Sequence, residues 1–166
     1  MKKKMLMLLL AGTLALSLCA CGSGGSADSG EATESQEPEA PAVTDAGTLG
    51  DYDVAIGDCT FGEDYEGNPI IVIHYSFTNN GEEPASALWS LGTKAYQDGV
   101  ELETAIVSDT YVYDASIAQK DIKTGITLDD CQIAYVMTSE SPVEFEVSEF
   151  LRTSNDTLYK TFEVNN

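Results

Sequence analysis

The stretch from Ile70 to Thr78 constrains the fold more than any other, because its apolar residues recur with period two. Ile71, Ile73, Tyr75 and Phe77 share one face, which is the spacing of a β-strand laid against a core. Ile70 and Val72 add apolar surface to the opposite face, beside His74, so the first half of this strand is expected to be covered on both sides. The same period returns at Tyr52, Val54 and Ile56, and after Gly57 it shifts to Cys59 and Phe61, a one-residue slip that marks a β-bulge. Strands are further expected over Ile106 to Tyr113, less regularly, and over Ile126 to Met137 with a break at Asp129-Asp130. Val143, Phe145 and Val147 form another, and Leu158 to Val164 a last one, reached through Ser148 to Asn155 with a short helical turn. Asp98-Gly99 between two such runs predicts a tight hairpin, since both residues tolerate positive φ. No window has the period of a long amphipathic helix. The expectation is an all-β fold, a two-sheet sandwich of about seven strands that is immunoglobulin-like in architecture only, because the Cys59, Trp89, Cys131 spacing does not fit true immunoglobulin domains.

The strands begin only after a long preamble. Lys2, Lys3 and Lys4 precede an apolar run from Met5 to Leu18, too short to span a bilayer and shaped like a secretory signal. Leu18-Cys19-Ala20-Cys21 resembles the lipobox of bacterial prolipoproteins. That resemblance implies cleavage before Cys21 and a diacylglyceryl group on its sulfur, an anchor of two acyl chains where one alone binds marginally. From Gly22 the chain is Gly, Ser, Ala, Glu, Thr and Pro with few large apolar residues, a composition that cannot bury a core. The expected organisation is a signal peptide over 1–20, a lipidated cysteine and disordered acidic tether over 21–49, and one sandwich domain over 50–166. A single domain disfavours the two-lobed clefts of large substrate-binding proteins.

The chain has 28 acidic and 8 basic residues, and loss of the three signal lysines leaves a mature net charge of about −23. Such a field repels nucleic acid and anionic lipid headgroups, so no nucleic-acid partner is expected. The expected partners are the membrane, through the anchor, and an envelope protein or small ligand.

Most of the folded part resembles the domain of unknown function family 5067. The resemblance rests on Asp64-Tyr65-Glu66-Gly67, on Tyr75-Ser76-Phe77-Thr78-Asn79-Asn80, on Lys94-Ala95-Tyr96-Gln97-Asp98-Gly99-Val100-Glu101-Leu102, and on Ile122-Lys123-Thr124-Gly125. It implies a sandwich in a lipoprotein of Gram-positive, largely anaerobic bacteria, and it implies no activity. Thr124 departs from the proline expected before the glycine, a change that should loosen this turn.

No catalytic set is expected. His74 is the only histidine and falls on the outer sheet face, where a structural or surface role is the simplest reading. The carboxylates are scattered over turns, unlike the paired acids of a glycosidase. No cofactor is expected beyond the lipid, with calcium as an outside candidate at two places: Glu63, Asp64, Glu66 and Asn68, and Asp129 with Asp130. Neither has calcium-loop spacing. Cys59 and Cys131 remain as an even pair in an exported domain. They form either a disulfide closing a loop of about 72 residues, worth about 4 kcal/mol in the chain-entropy model, or two buried thiols. The sequence thus supports a membrane-anchored extracytoplasmic lipoprotein with a non-catalytic binding or interaction domain. Tyr111, Tyr113 and the loop around Trp89 are candidate contacts, and the alternatives are an accessory subunit of an envelope enzyme or transporter, or a calcium-binding surface protein.

Overall fold

The computed structural model describes residues 44–151 and 155–164. Eight strands and one helical turn follow in order: β1 (Ala46–Leu49), β2 (Tyr52–Glu63), β3 (Pro69–Asn79), α1 (Ala87–Ser90), β4 (Leu91–Gln97), β5 (Val100–Glu101), β6 (Ile126–Val136), β7 (Val143–Glu149) and β8 (Thr157–Phe162). All pairings are antiparallel. One sheet has the order β1-β2-β3-β6 and the other β5-β4-β7-β8, so the expected sandwich is present.

Alternation places the core. Ile71, Ile73, Tyr75 and Phe77 of β3 pack with Val54 and Ile56 of β2 and with Val143, Phe145 and Val147 of β7. Each such side chain contributes roughly 1.5–3 kcal/mol through burial. Tyr135 crosses the core to stack edgewise on Phe145 at 6.1 Å, and its hydroxyl donates to Thr93 Oγ1 at 2.9 Å, linking β6 to β4.

Both expected breaks are bulges. Gly57 and Asp58 oppose the single residue His74 between the pairs Ile56↔Tyr75 and Cys59↔Ile73. On the other side of β3, Asp129 and Asp130 oppose Ser76 between Tyr75↔Cys131 and Phe77↔Leu128. The first bulge is held from the facing sheet. Lys160 lies between Leu158 and Phe162 in the alternation of β8, an inward position, and its ammonium donates to the carbonyls of Ile56 and Gly57 at 3.1 and 2.8 Å.

Two boundaries differ from expectation. Ala46–Leu49, assigned to the tether, is a strand, and Leu49 is fully buried. Small residues hid it. Ile106 to Tyr113 is not a strand. The Asp109 carbonyl accepts from the amides of Val112 and Tyr113, closing a turn, and Val107, Val112 and Tyr113 cover Ile70, Val72 and Ala134 on the outer face of β3 and β6. The two-sided burial of β3 is therefore real, supplied by a segment that packs without pairing. It packs tightly: a Cβ added to Gly62 would lie 2.8 Å from Val112 Cγ1. The Asp98-Gly99 hairpin forms as expected, with φ of 52° and 76°.

Two buried amides organise the ends. Gln97 donates to the carbonyls of Ser139 and Ser141 and accepts from the amides of Thr138 and Ser139, fixing the loop between β6 and β7. Asn79 donates to the carbonyls of Glu83 and Ile122 and accepts from the amide of Gly81. At the turn with Thr124, the Thr124 hydroxyl donates to the Gly81 carbonyl at 2.6 Å. The expected helical turn between Ser148 and Asn155 falls partly outside the described residues.

Charge-assisted hydrogen bonds to buried carbonyls are worth about 1.5–3 kcal/mol, whereas exposed ion pairs give at most about 1 kcal/mol. Lys160→Ala should therefore lower unfolding stability by about 2–3 kcal/mol in a urea titration. Lys94→Ala, which breaks the exposed 3.0 Å pair with Glu101, should cost under about 1 kcal/mol. Equal losses would refute the clamp.

Candidate functional site

The outer face of the β1-β2-β3-β6 sheet changes character midway along β3. Ile70 and Val72 are covered, and beyond them the outward positions are His74, Ser76 and Thr78, which the 105–113 segment does not reach. Both bulges open beside this polar half. Bulges re-aim side chains and recur next to functional sites. Here they frame a hollow of about 470 Å³ lined by residues that include Gly57, Asp58, Thr60, His74, Ser76 and Asp129. A second hollow of about 400 Å³ adjoins it through Ala55 and Ser76 and extends over β1, reaching Thr48, Asp53 and Thr78. Together they make a shallow trough along the strands, floored by small residues.

The polar groups of the trough are already ordered. His74 Nδ1 donates to Asp130 Oδ1 at 2.7 Å, and Gln132 Nε2 donates to Asp130 Oδ2 at 3.2 Å. The Thr60 hydroxyl lies 3.4 Å from His74 Nε2, long for a hydrogen bond. At the other end, Asp53 accepts from the hydroxyl of Thr48 at 2.7 Å and from the side-chain amide of Asn80 at 2.8 Å. These two bonds hold its carboxyl below the usual range, so it is ionised at neutral pH. The trough offers hydroxyls, carboxylates and one oriented imidazole, a set suited to hydrogen-bonding a polar ligand.

The cysteine pair lies beneath the same strands. Both are free thiols. The candidate disulfide is absent for a geometric reason: Cys59 opposes Ile73 on one side of β3 and Cys131 opposes Tyr75 on the other. Two strand spacings put them about 10 Å apart, beyond the roughly 7 Å that a bridge tolerates between Cα atoms. Burial and the neighbouring Asp130 carboxylate push the Cys131 thiol up to about 12, and burial with Asp58 raises that of Cys59.

The two acidic groups considered for calcium are not brought together. Asp64 spends both carboxylate oxygens on its own turn, accepting from the amides of Glu66 and Asn68 at 2.8 Å and from Asn68 Nδ2 at 2.9 Å. Glu66 accepts from the Tyr65 hydroxyl at 2.9 Å. Glu63 pairs with Pro69 at the end of the β2–β3 ladder, while Asp129 and Asp130 flank Ser76 and His74. Among the described residues, no group of three or more His, Cys, Asp or Glu side chains could hold a metal ion. Of the candidate contacts, Trp89 and Tyr111 are 74% and 98% exposed, whereas Tyr113 is half-buried in the cover. Cys21 lies outside the described residues.

The sequence profile of the domain of unknown function DUF5067 matches residues 27–149, well over half of the chain. The chain belongs to the DUF5067 family. Comparison with curated proteins returned no match. Solved structures share the fold at low identity, and two of them carry the description "putative lipoprotein". The one from Staphylococcus aureus subsp. aureus NCTC 8325 is 14% identical with a TM-score of 0.53, over 73% of this chain and 93% of that one. The one from Bacillus subtilis is 11% identical with a TM-score of 0.54, over 75% of this chain and 40% of that one. A protein from Enterococcus faecalis, solved by NMR, is 19% identical with a TM-score of 0.53, over 73% of this chain and 90% of that one. At these identities the likeness concerns the fold of the DUF5067 domain.

Two measurements test the site. Because both thiols are protonated at neutral pH, the native protein should resist alkylation at pH 7.5 without reductant and take up label at Cys59 and Cys131 only on unfolding, as read by peptide mass spectrometry. A bridged pair that stays unlabelled until reduced would contradict the geometry. Asp64, held below its ordinary 3.8 first by the Asn68 side chain, stabilises the fold above that value. The contribution is lost as pH falls through the depressed folded value, so melting temperature should drop below about pH 4 and Asp64→Asn should flatten that drop.

Proposed function

We propose that this DUF5067 protein is a lipoprotein held on the extracytoplasmic face of the cell membrane through a lipid on Cys21. Its sandwich acts as a non-catalytic binding module for an envelope protein or small ligand. The lipobox-like Leu18-Cys19-Ala20-Cys21 and the descriptions of two structural neighbours support the anchoring. The binding reading rests on one observation. The apolar half of the outer sheet face is covered by 105–113, and the polar half, with both bulges opening onto it, is left as a trough. A sheet that needed only to fold would have no use for two bulges framing one exposed stretch, since each interrupts the ladder. The small side chains of Ala55 and Ser76 and the ordered groups around His74 make the floor accessible and preorganised, which lowers the entropic cost of binding.

Anchoring and binding are tested separately. Cys21→Ala should abolish incorporation of labelled palmitate and release the protein from the membrane fraction; retention there without label would overturn the anchor. A photo-crosslinking residue at Ser76 should give a discrete adduct in cells, while the same residue at Thr161, exposed on the other sheet, should give none. No adduct at Ser76, or equal labelling at both positions, would sink the trough as the binding site.

A further inference from the structure

One end of the sandwich carries large apolar side chains that the core does not use. Thr44 bridges to Tyr159, and the chain then runs through β1 to the turn at Gly50, where a Cβ would lie 2.8 Å from the Glu149 carboxylate. At the same end the amide of Phe150, just beyond β7, donates to the Ser90 carbonyl of α1 at 2.8 Å. The two segments so joined expose Leu88 by 42%, Trp89 by 74%, Phe150 by 60% and Leu151 by 80%. The buried side of α1 is supplied by Ala87 and Ser90, so folding does not require an indole at position 89. A small notch beside Phe150, lined by residues that include Gly92, Lys94 and Ser148, interrupts the surface. Clustered exposed apolar residues of this size, with a tryptophan among them, are a mark of interaction sites.

The charge around the tip selects the occupant. Asp51 and the 80–84 loop are joined by the Asn80 amide donating to the Asp51 carbonyl, and Ala85 pairs with Ile122. These segments bring Asp51, Glu82, Glu83 and Asp121 to the tip, where Glu149 also lies. The same region holds Lys120 and Lys123, and the notch adds Lys94, which is paired with Glu101, and Glu146, so carboxylates remain in excess. Two copies meeting tip to tip would oppose these carboxylates, and an anionic lipid surface would be repelled.

We infer that the tip formed by Leu88, Trp89, Phe150 and Leu151 docks a basic amphipathic segment of another extracytoplasmic protein. The inference rests on the binding-module reading but uses a surface apart from the trough, so an inactive trough leaves it intact and a failed tip leaves the trough intact.

Trp89 is the only tryptophan of the chain and reports on its own burial. The mature full-length protein is titrated with a peptide of about 14 residues carrying Lys and Leu at helical spacing, and with the counterpart in which Glu replaces Lys. The Lys peptide should bind saturably with a blue shift of tryptophan emission, and added salt should weaken it. Calorimetry should show Trp89→Ala and Phe150→Ala each losing at least about tenfold in affinity, with Val100→Ala, an exposed apolar residue in the hairpin at the other end of β4, unchanged. Both tip residues are largely exposed, so the variants should melt like the parent. Absence of a blue shift, equal binding of the Glu peptide, or equal loss in Val100→Ala would overturn the inference. So would concentration-dependent dimers abolished by Phe150→Ala, which would assign the tip to a second copy, or the same emission shift with phosphatidylglycerol vesicles, which would assign it to lipid.

Discussion

The structure depends on the unequal faces of β3. Its inner face is apolar from Ile71 to Phe77, but its outer face is apolar only through Ile70 and Val72 and polar from His74 onward. Exposed, the first pair would forfeit a few kcal/mol of burial. Covering the second group would strand polar side chains away from water. The chain resolves this by sending a segment without strand pairing, 105–113, across one half and stopping there. Gly62 marks how closely the cover sits, since even a methyl group would collide with Val112. The position of the trough is thus a consequence of where hydrophobic coverage ends.

The bulges connect this surface to the interior. Each places two residues of a neighbouring strand against one residue of β3, and each frees backbone groups that need partners. At Gly57 the partner is the Lys160 ammonium, which reaches from the facing sheet and also lies 5.5 Å from the centre of the Phe162 ring. At Asp129-Asp130 the excursion brings Asp130 onto His74. One device joins the two sheets and the other orders the outer face.

How much of this could be read from the residues follows from what each feature rests on. The alternating strands β3 and β7 were legible, as were β6 with its break at Asp129-Asp130 and the bulge at Gly57, because a glycine slip and an Asp-Asp interruption are local signals. β1 was not, since Ala46, Gly47 and Thr48 carry little apolar surface and only Leu49 is driven inward. Ile106 to Tyr113 misled because apolar residues that cover a sheet need no ladder of their own. His74 could be placed on the outer face, but its contact with Asp130, 56 residues away, is a product of tertiary register. The buried networks of Asn79 and Gln97 involve loops that no local pattern reveals. Lys160 was the signal available and unused, a charge at an inward position between Leu158 and Phe162.

The bridge from Thr44 to Tyr159 gives the domain a mechanical character. Thr44 is tied to one sheet and Ala46 to Leu49 pair with the other, so β1 stitches the sandwich shut along the side where β8 meets β2. A pull on Thr44, opposed by a load at the Gly50 end, runs along β1 and loads its hydrogen bonds together in shear. Peeling them one at a time would need a pull from the Gly50 end. The entry strand, only four residues long, is thereby placed where a short strand resists force best.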